Sequence, residues 1–231
     1  MSSVVVSGDT SGAITISAPA ISGTNTLTLP AVTDTLVGLA ATQTLTNKTL
    51  TTPHLGTPST LVLTNATGLA AAAMPAGSVL QVVTTQKTDT FSTSSTSFVA
   101  ITGISVSITP RSTSSRISVQ VSFGAAGCGA GTYTAAFRVM RDSTAINVGD
   151  AAGSRLQSSF RNFNADSNHA PFAAFSCIDS PSSVSALTYT VQVAAQTPET
   201  FYLNRTATDS DGTAAYQARC ASSITVMEIK G

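Results

Sequence analysis

Ile117-Ser118-Val119-Gln120-Val121-Ser122-Phe123 alternates apolar and polar residues without a break. A period of two places every second side chain on one face, which is the signature of a strand with one buried side. Moving outward, the same period recurs in Ala135-Ala136-Phe137-Arg138-Val139-Met140-Arg141, in Leu187-Thr188-Tyr189-Thr190-Val191-Gln192-Val193 and in Ser223-Ile224-Thr225-Val226-Met227-Glu228-Ile229. Shorter apolar runs at 79–83, 97–101, 104–108, 171–175 and 201–203 read as further strands, with Gly103 separating two of them. Turn residues lie between the runs, and none carries a convincing helical period. Several short strands punctuated in this way predict a sandwich or barrel. The closing run should be tied into a sheet, and a jelly roll is the simplest double-sheet solution for about eight strands.

Aromatic residues mark a boundary. No Phe or Tyr precedes Phe91, and the chain has no Trp. Aromatics supply large buried areas, so residues 1–76 have little with which to build a thick core. The expected organisation is therefore three parts: 1–40, 41–76 and 77–231. In the first, Val4 and Val6, Ile14 and Ile16, and Leu27 and Leu29 alternate with small polar residues, predicting strands at 4–6, 13–17, 25–29 and 35–37. Gly, Ser and Pro punctuate them as turns. In the second, Leu45, Leu50, Leu55, Leu61 and Leu63 recur sparsely among Thr and Pro. This is too apolar-poor to fold alone. It suits an extended stalk whose Leu residues meet around a three-fold axis, or else a flexible linker. Ala70-Ala71-Ala72-Ala73-Met74 reads either as one helical turn or as a tight extended neck.

Charge narrows the partners. The net charge is zero and only 10% of residues are charged. No Lys/Arg cluster suggests nucleic acid or an anionic membrane surface. The start has no basic n-region followed by a long apolar stretch, so no signal peptide is read. The run at 69–74 falls far short of the roughly 20 apolar residues a membrane span needs. Cys128, Cys177 and Cys220 are odd in number and widely spaced, and read as reduced, buried or half-buried thiols.

The motif Ser7-Gly8-Asp9-Thr10-Ser11-Gly12-Ala13-Ile14-Thr15-Ile16, with Ala18-Pro19 and Gly23-Thr24-Asn25-Thr26-Leu27-Thr28-Leu29-Pro30, resembles the N-terminal region of tailed-phage fibre and virion structural proteins. Thr44-Leu45-Thr46-Asn47-Lys48-Thr49-Leu50 does so too. From Gly77-Ser78-Val79-Leu80-Gln81-Val82 to the closing strand, the chain is similar to the trimeric head domain that often follows. The resemblance implies a virion anchor made of Val4, Val6, Ile14, Ile16, Leu27 and Leu29. It also implies a stalk and a homotrimeric, jelly-roll-like β-sandwich head, with no shared catalytic residues. The expected fold class is therefore all-β, and the expected place is the virion, assembled in the bacterial cytoplasm. The expected partners are other virion proteins, in tail, baseplate or capsid, and a host-surface glycan or protein; no cofactor is expected.

Constellations that could carry chemistry are sparse. Gly8-Asp9-Thr10-Ser11-Gly12 has a nucleophile-loop look, but a serine triad needs a base and only His54 and His169 exist. Asp209-Ser210-Asp211-Gly212 begins like a calcium loop, yet its twelfth position is Cys220 rather than Glu. Asp166 and His169 could share an ion on a symmetry axis. The irregular stretch 147–169 carries Arg155, Phe160, Arg161, Phe163 and His169, a mix typical of recognition loops and equally of a subunit contact. The expected function is a short trimeric fibre on tail or head, presenting its C-terminal domain to the host. A capsid decoration (cement) protein is the alternative. A glycan depolymerase would need paired carboxylates, and only Glu199 and Glu228 are glutamates.

Overall fold

Alternation over eight or nine residues, rich in Val, Ile and Thr, folds as strand because branched side chains fit a pleated surface. The computed structural model describes residues 3–7, 11–17 and 70–231, apart from 130–133 and 164–166, together with four isolated positions between 24 and 51. The chain divides into two compact units, Met1–Val62 and Leu63–Gly231. Leu27, Leu29, Leu45, Leu50, Leu55, Leu61 and Leu63, and the strands expected at 25–29 and 35–37, lie outside the described residues.

In the smaller unit, β1 (Ser3–Ser7) and β2 (Ala13–Ser17) form an antiparallel hairpin. Its register sets Val4 opposite Ile16 and Val6 opposite Ile14. Val5, on the other parity, is 57% exposed.

The larger unit is all-β. After a single 3-10 turn at Ala71–Ala73 come β3 (Val79–Lys87), β4 (Phe91–Thr93), β5 (Val99–Ile108), β6 (Arg116–Phe123), β7 (Ala126–Cys128), β8 (Thr134–Arg141) and β9 (Thr144–Ile146). They are followed by β10 (Phe160–Phe163), β11 (Ala173–Asp179), β12 (Leu187–Ala195), β13 (Phe201–Leu203), a second 3-10 turn at Ala215–Gln217, and β14 (Ser222–Ile229). The eight strands longer than three residues build two sheets, ordered β11-β6-β14-β3 and β10-β8-β12-β5. Their antiparallel pairings are nested: β3 with β14, β5 with β12, β6 with β11, β8 with β10. The short β4, β13 and β7 form a third, three-stranded sheet.

One core lies between the sheets. Phe123 of the first packs 5.5 Å from Phe137 of the second, and Phe175 stacks on Phe160 at 5.0 Å. Phe201 from the third sheet meets Phe137 edge-on at 5.3 Å. Such pairs add about 0.5–1.5 kcal/mol beyond their burial. Three features depart from the sequence reading. Gly103 does not end a strand; β5 runs through it, with a register shift against β12. Gly103 sits at φ +86°, where a Cβ is strained, and that Cβ would lie 3.4 Å from the Lys87 Nζ. The strand expected at 171–175 is shifted to 173–179, and the three-residue strands are too short to carry a period.

Candidate functional site

The two ends of this sandwich differ. At one end, the neck of the chain is tied to the last strand. The Gly77 N–H donates to the Lys230 carbonyl at 2.8 Å, and the Lys230 N–H donates to Ser78 at 2.9 Å. The Lys230 ammonium donates to the Ala72 carbonyl at 2.8 Å and to that of Met74. Ala71–Ala73 is thus a single 3-10 turn, flanked by extended Ala70 and Met74 and clamped by the Lys230 side chain.

The opposite end, where β6 finishes and β14 begins, holds a cleft of about 670 Å³. That volume lies within the range of small-molecule sites, roughly 300–1,000 Å³. Two loops build it. Residues 167–171 supply Asn168, His169 and Pro171, and residues 204–221 supply Thr206, Tyr216 and Cys220. Alanines fill the remaining wall, and none of its described lining residues is an acid, a lysine or an arginine. Backbone bonds pin the walls: Ala126 donates to Pro171 at 2.9 Å, and Ala207 to Ser167 at 3.1 Å. The Thr208 hydroxyl donates to the Asn168 side-chain oxygen at 2.7 Å.

Asn204 holds the second loop. It is fully buried at φ 62°, a left-handed conformation that asparagine tolerates. Its side-chain nitrogen donates to the carbonyls of Lys87 and Asp89, and its oxygen accepts from the Ser222 hydroxyl at 2.6 Å. Every polar atom of that amide has work to do, as a buried amide requires. At the base of the same loop, Asp209 pairs with Arg219 at 2.8 Å and with Arg205 at 3.2 Å. Its carboxylate is committed to two guanidiniums rather than arranged as a calcium ligand.

The residues expected for recognition are scattered. His169 lines the cleft and is exposed. Phe160 does not face outward: it stacks on Phe137 at 4.7 Å and on Phe175, inside the core. The stretch holding it is the strand β10, whose parity turns Phe160 inward and Arg161 out. Arg155 is exposed, donates to the nearby Ala152 carbonyl at 3.3 Å, and does not line the cleft. Phe163 ends β10, and Asp166 lies outside the described residues. Among the described residues, no three of His, Cys, Asp and Glu converge as a metal site.

Sequence reasoning missed Tyr216 and Thr206. The available signal was Tyr216 itself, a lone aromatic at 45% exposure in a Gly/Ala/Ser/Asp-rich loop with no strand pattern. None of the three cysteines forms a disulfide. Burial pushes the Cys128 and Cys177 thiols up to about 11, helped by the nearby carboxylates of Glu199 and Asp179 respectively, so neither is a nucleophile at neutral pH. No described helix is long and apolar enough to cross a membrane. No protein-family model matches the chain, and no curated protein matches its sequence.

Proposed function

We propose that the chain is a tailed-phage virion protein: a short homotrimeric fibre, on tail or head, anchored through its N-terminal part and presenting the sandwich to the host surface. The observation that carries this reading is the polarity of the larger unit. The chain enters at the neck, beside Lys230, and the cleft opens where β6 ends and β14 begins, one strand length away. Eight residues of strand span about 26 Å. An attached end and a binding end at opposite poles are what a fibre tip requires.

The strand order supports a jelly roll. Numbering the long strands one to eight, partners one and eight, two and seven, three and six, and four and five pair, which is a long hairpin rolled up. The outer face of the β11-β6-β14-β3 sheet supports a homotrimer. Its rows read Ile178-Ser118-Met227-Val82, then Ser176-Gln120-Thr225-Thr84, then Ala174-Ser122-Ser223-Gln86. None of these residues is charged, and Ile178 and Val82 are 53% and 57% exposed. Those rows bury no unpaired charge against a copy of the chain, and Arg116, on the same parity, stands in the next row. The β1–β2 hairpin, whose edges have no partner strand among the described residues, suits strand addition to a neighbouring virion protein. Three copies would multiply that weak contact.

A capsid decoration protein is the second reading, favoured by the same uncharged rows, which pack as well in a lattice as in a trimer. The described cleft lining lacks the carboxylate pair that glycan cleavage uses, which favours binding over hydrolysis. Electron cryo-microscopy of the phage particle is the test. Density on the tail or on a head fibre, with the cleft end outward, is expected; density bridging capsomers would replace the fibre reading with the decoration one.

A further inference from the structure

Within the host-binding reading above, on which this inference rests, we propose that the cleft between residues 167–171 and 204–221 binds an uncharged saccharide, with Tyr216 as its stacking wall and Thr206 as a buried hydrogen-bonding group. Three observations carry the assignment.

The first is Thr206. It is 7% exposed and lines the cleft, and its hydroxyl has no hydrogen-bond partner among the described residues. Native proteins pair nearly all their buried polar groups, so an unpaired one calls for an occupant. A saccharide offers hydroxyls that both donate and accept, matching a group that does both. The second is Tyr216, whose ring stands 45% exposed on a turn of its own, Ala215–Gln217. A flat aromatic with a polar tip is a surface on which the C–H face of a pyranose packs while its hydroxyls stay wet. The third is charge. No described lining residue is acidic or carries a permanent positive charge, and the neighbouring Arg205 and Arg219 are both engaged by Asp209. A phosphorylated or sialylated ligand would find no counter-ion there, whereas an uncharged one loses nothing.

Alanine is the other lining element. Ala125, Ala170, Ala215 and Ala218 keep the wall smooth and wide without contributing polarity. This leaves orientation to Thr206 and the polar groups of Asn168 and His169, as in sites where a few placed polar atoms fix a ligand against an apolar wall. A single such contact is weak. Three cleft-bearing ends on one fibre would raise it by avidity.

The test uses the full chain and immobilised, uncharged oligosaccharides ending in glucose, galactose or N-acetylglucosamine. Sialylated and phosphorylated sugars and an uncharged peptide library serve as comparison probes. At least one uncharged sugar is expected to bind, with Tyr216→Ala weakening it tenfold or more. Thr206→Val should weaken it severalfold while leaving the thermal midpoint unchanged or raised, because the lost hydroxyl had no partner in the fold. Preference for charged sugars or peptides, absence of any binding to the uncharged set, or binding that survives both substitutions would overturn the assignment. The fibre reading is read separately, from phage adsorption. If antibody to residues 77–231 blocks adsorption but Tyr216→Ala phage adsorb normally, the saccharide site is wrong and the fibre stands. If the antibody labels the capsid lattice and leaves adsorption intact, the fibre reading itself is wrong.

Discussion

Glu228 shows how much one residue holds. It is fully buried on the inward parity of β14, beside Ile224 and Val226. Its oxygens accept from the Ser115 hydroxyl at 2.6 Å, the Arg111 N–H at 2.7 Å and the Gln81 amide at 2.6 Å. Burial pushes its carboxyl up, but those hydrogen bonds outweigh it and hold the group below the usual carboxylate range. A depressed folded value means the ionised form stabilises the fold above about pH 4.3, the unfolded value. That stability is lost as pH falls through the folded value. Glu228→Gln should therefore cost about 2 kcal/mol at neutral pH, measured by urea unfolding, and the gap from the parent protein should close in acid. Across the core, Tyr189 donates to Asp179 at 2.7 Å while Arg141 holds both Asp179 oxygens at 2.8 and 2.9 Å. Phe137, touching three other rings, should cost about 3–5 kcal/mol when cut to Ala, read as a drop in urea midpoint. Alternation placed Glu228 inward, but its partners lie 113 to 147 residues away in the chain, a pairing no local pattern encodes.

Among elements, legibility followed length. The runs 117–123, 135–141, 187–193 and 223–229 each hold enough alternation to fix both type and inward face, and β6, β8, β12 and β14 cover them. β4, β7, β9 and β13 are three residues each, below one full period of evidence, and owe their strand state to neighbours in the sheet. Of these only β13 was legible, through its aromatics. β10 was hidden for another reason: its Phe160 and Arg161 look like a recognition loop until the partner strand shows which side is buried. Gly103 misled because glycine ends strands more often than it kinks them. Gly103→Ala should cost about 1–2 kcal/mol for the left-handed backbone, seen as a lower thermal midpoint with the same circular dichroism. Met227→Lys, among the uncharged rows of the outer face, should convert the proposed trimer to monomer in analytical ultracentrifugation without unfolding it. Retention of the trimer would move the subunit contact to another surface.

For the whole molecule, the fold class was legible and the site was not. The cleft draws on residues 125, 167–171 and 204–221, brought together only because nested pairing returns β11 and β14 to the end where β6 stops. The same nesting sets where proteolysis should act. A boundary at Gly77 follows from the aromatics, but Lys230 grips the carbonyls of Ala72 and Met74. Limited subtilisin digestion should thus leave a fragment that retains Ala70–Met74, and Lys230→Ala should let trimming proceed to about residue 77; mass spectrometry distinguishes the two. That grip has a further consequence. With Gly77 bonded directly to Lys230, the sandwich is a closed circuit of chain whose opening happens to fall at the neck. Joining 77 to 231 through a few glycines and cutting instead in the exposed loop beside Val184 would give a circular permutant with the same sheets. Its new termini would be free to carry a cargo or a surface tether, while the cleft kept its shape.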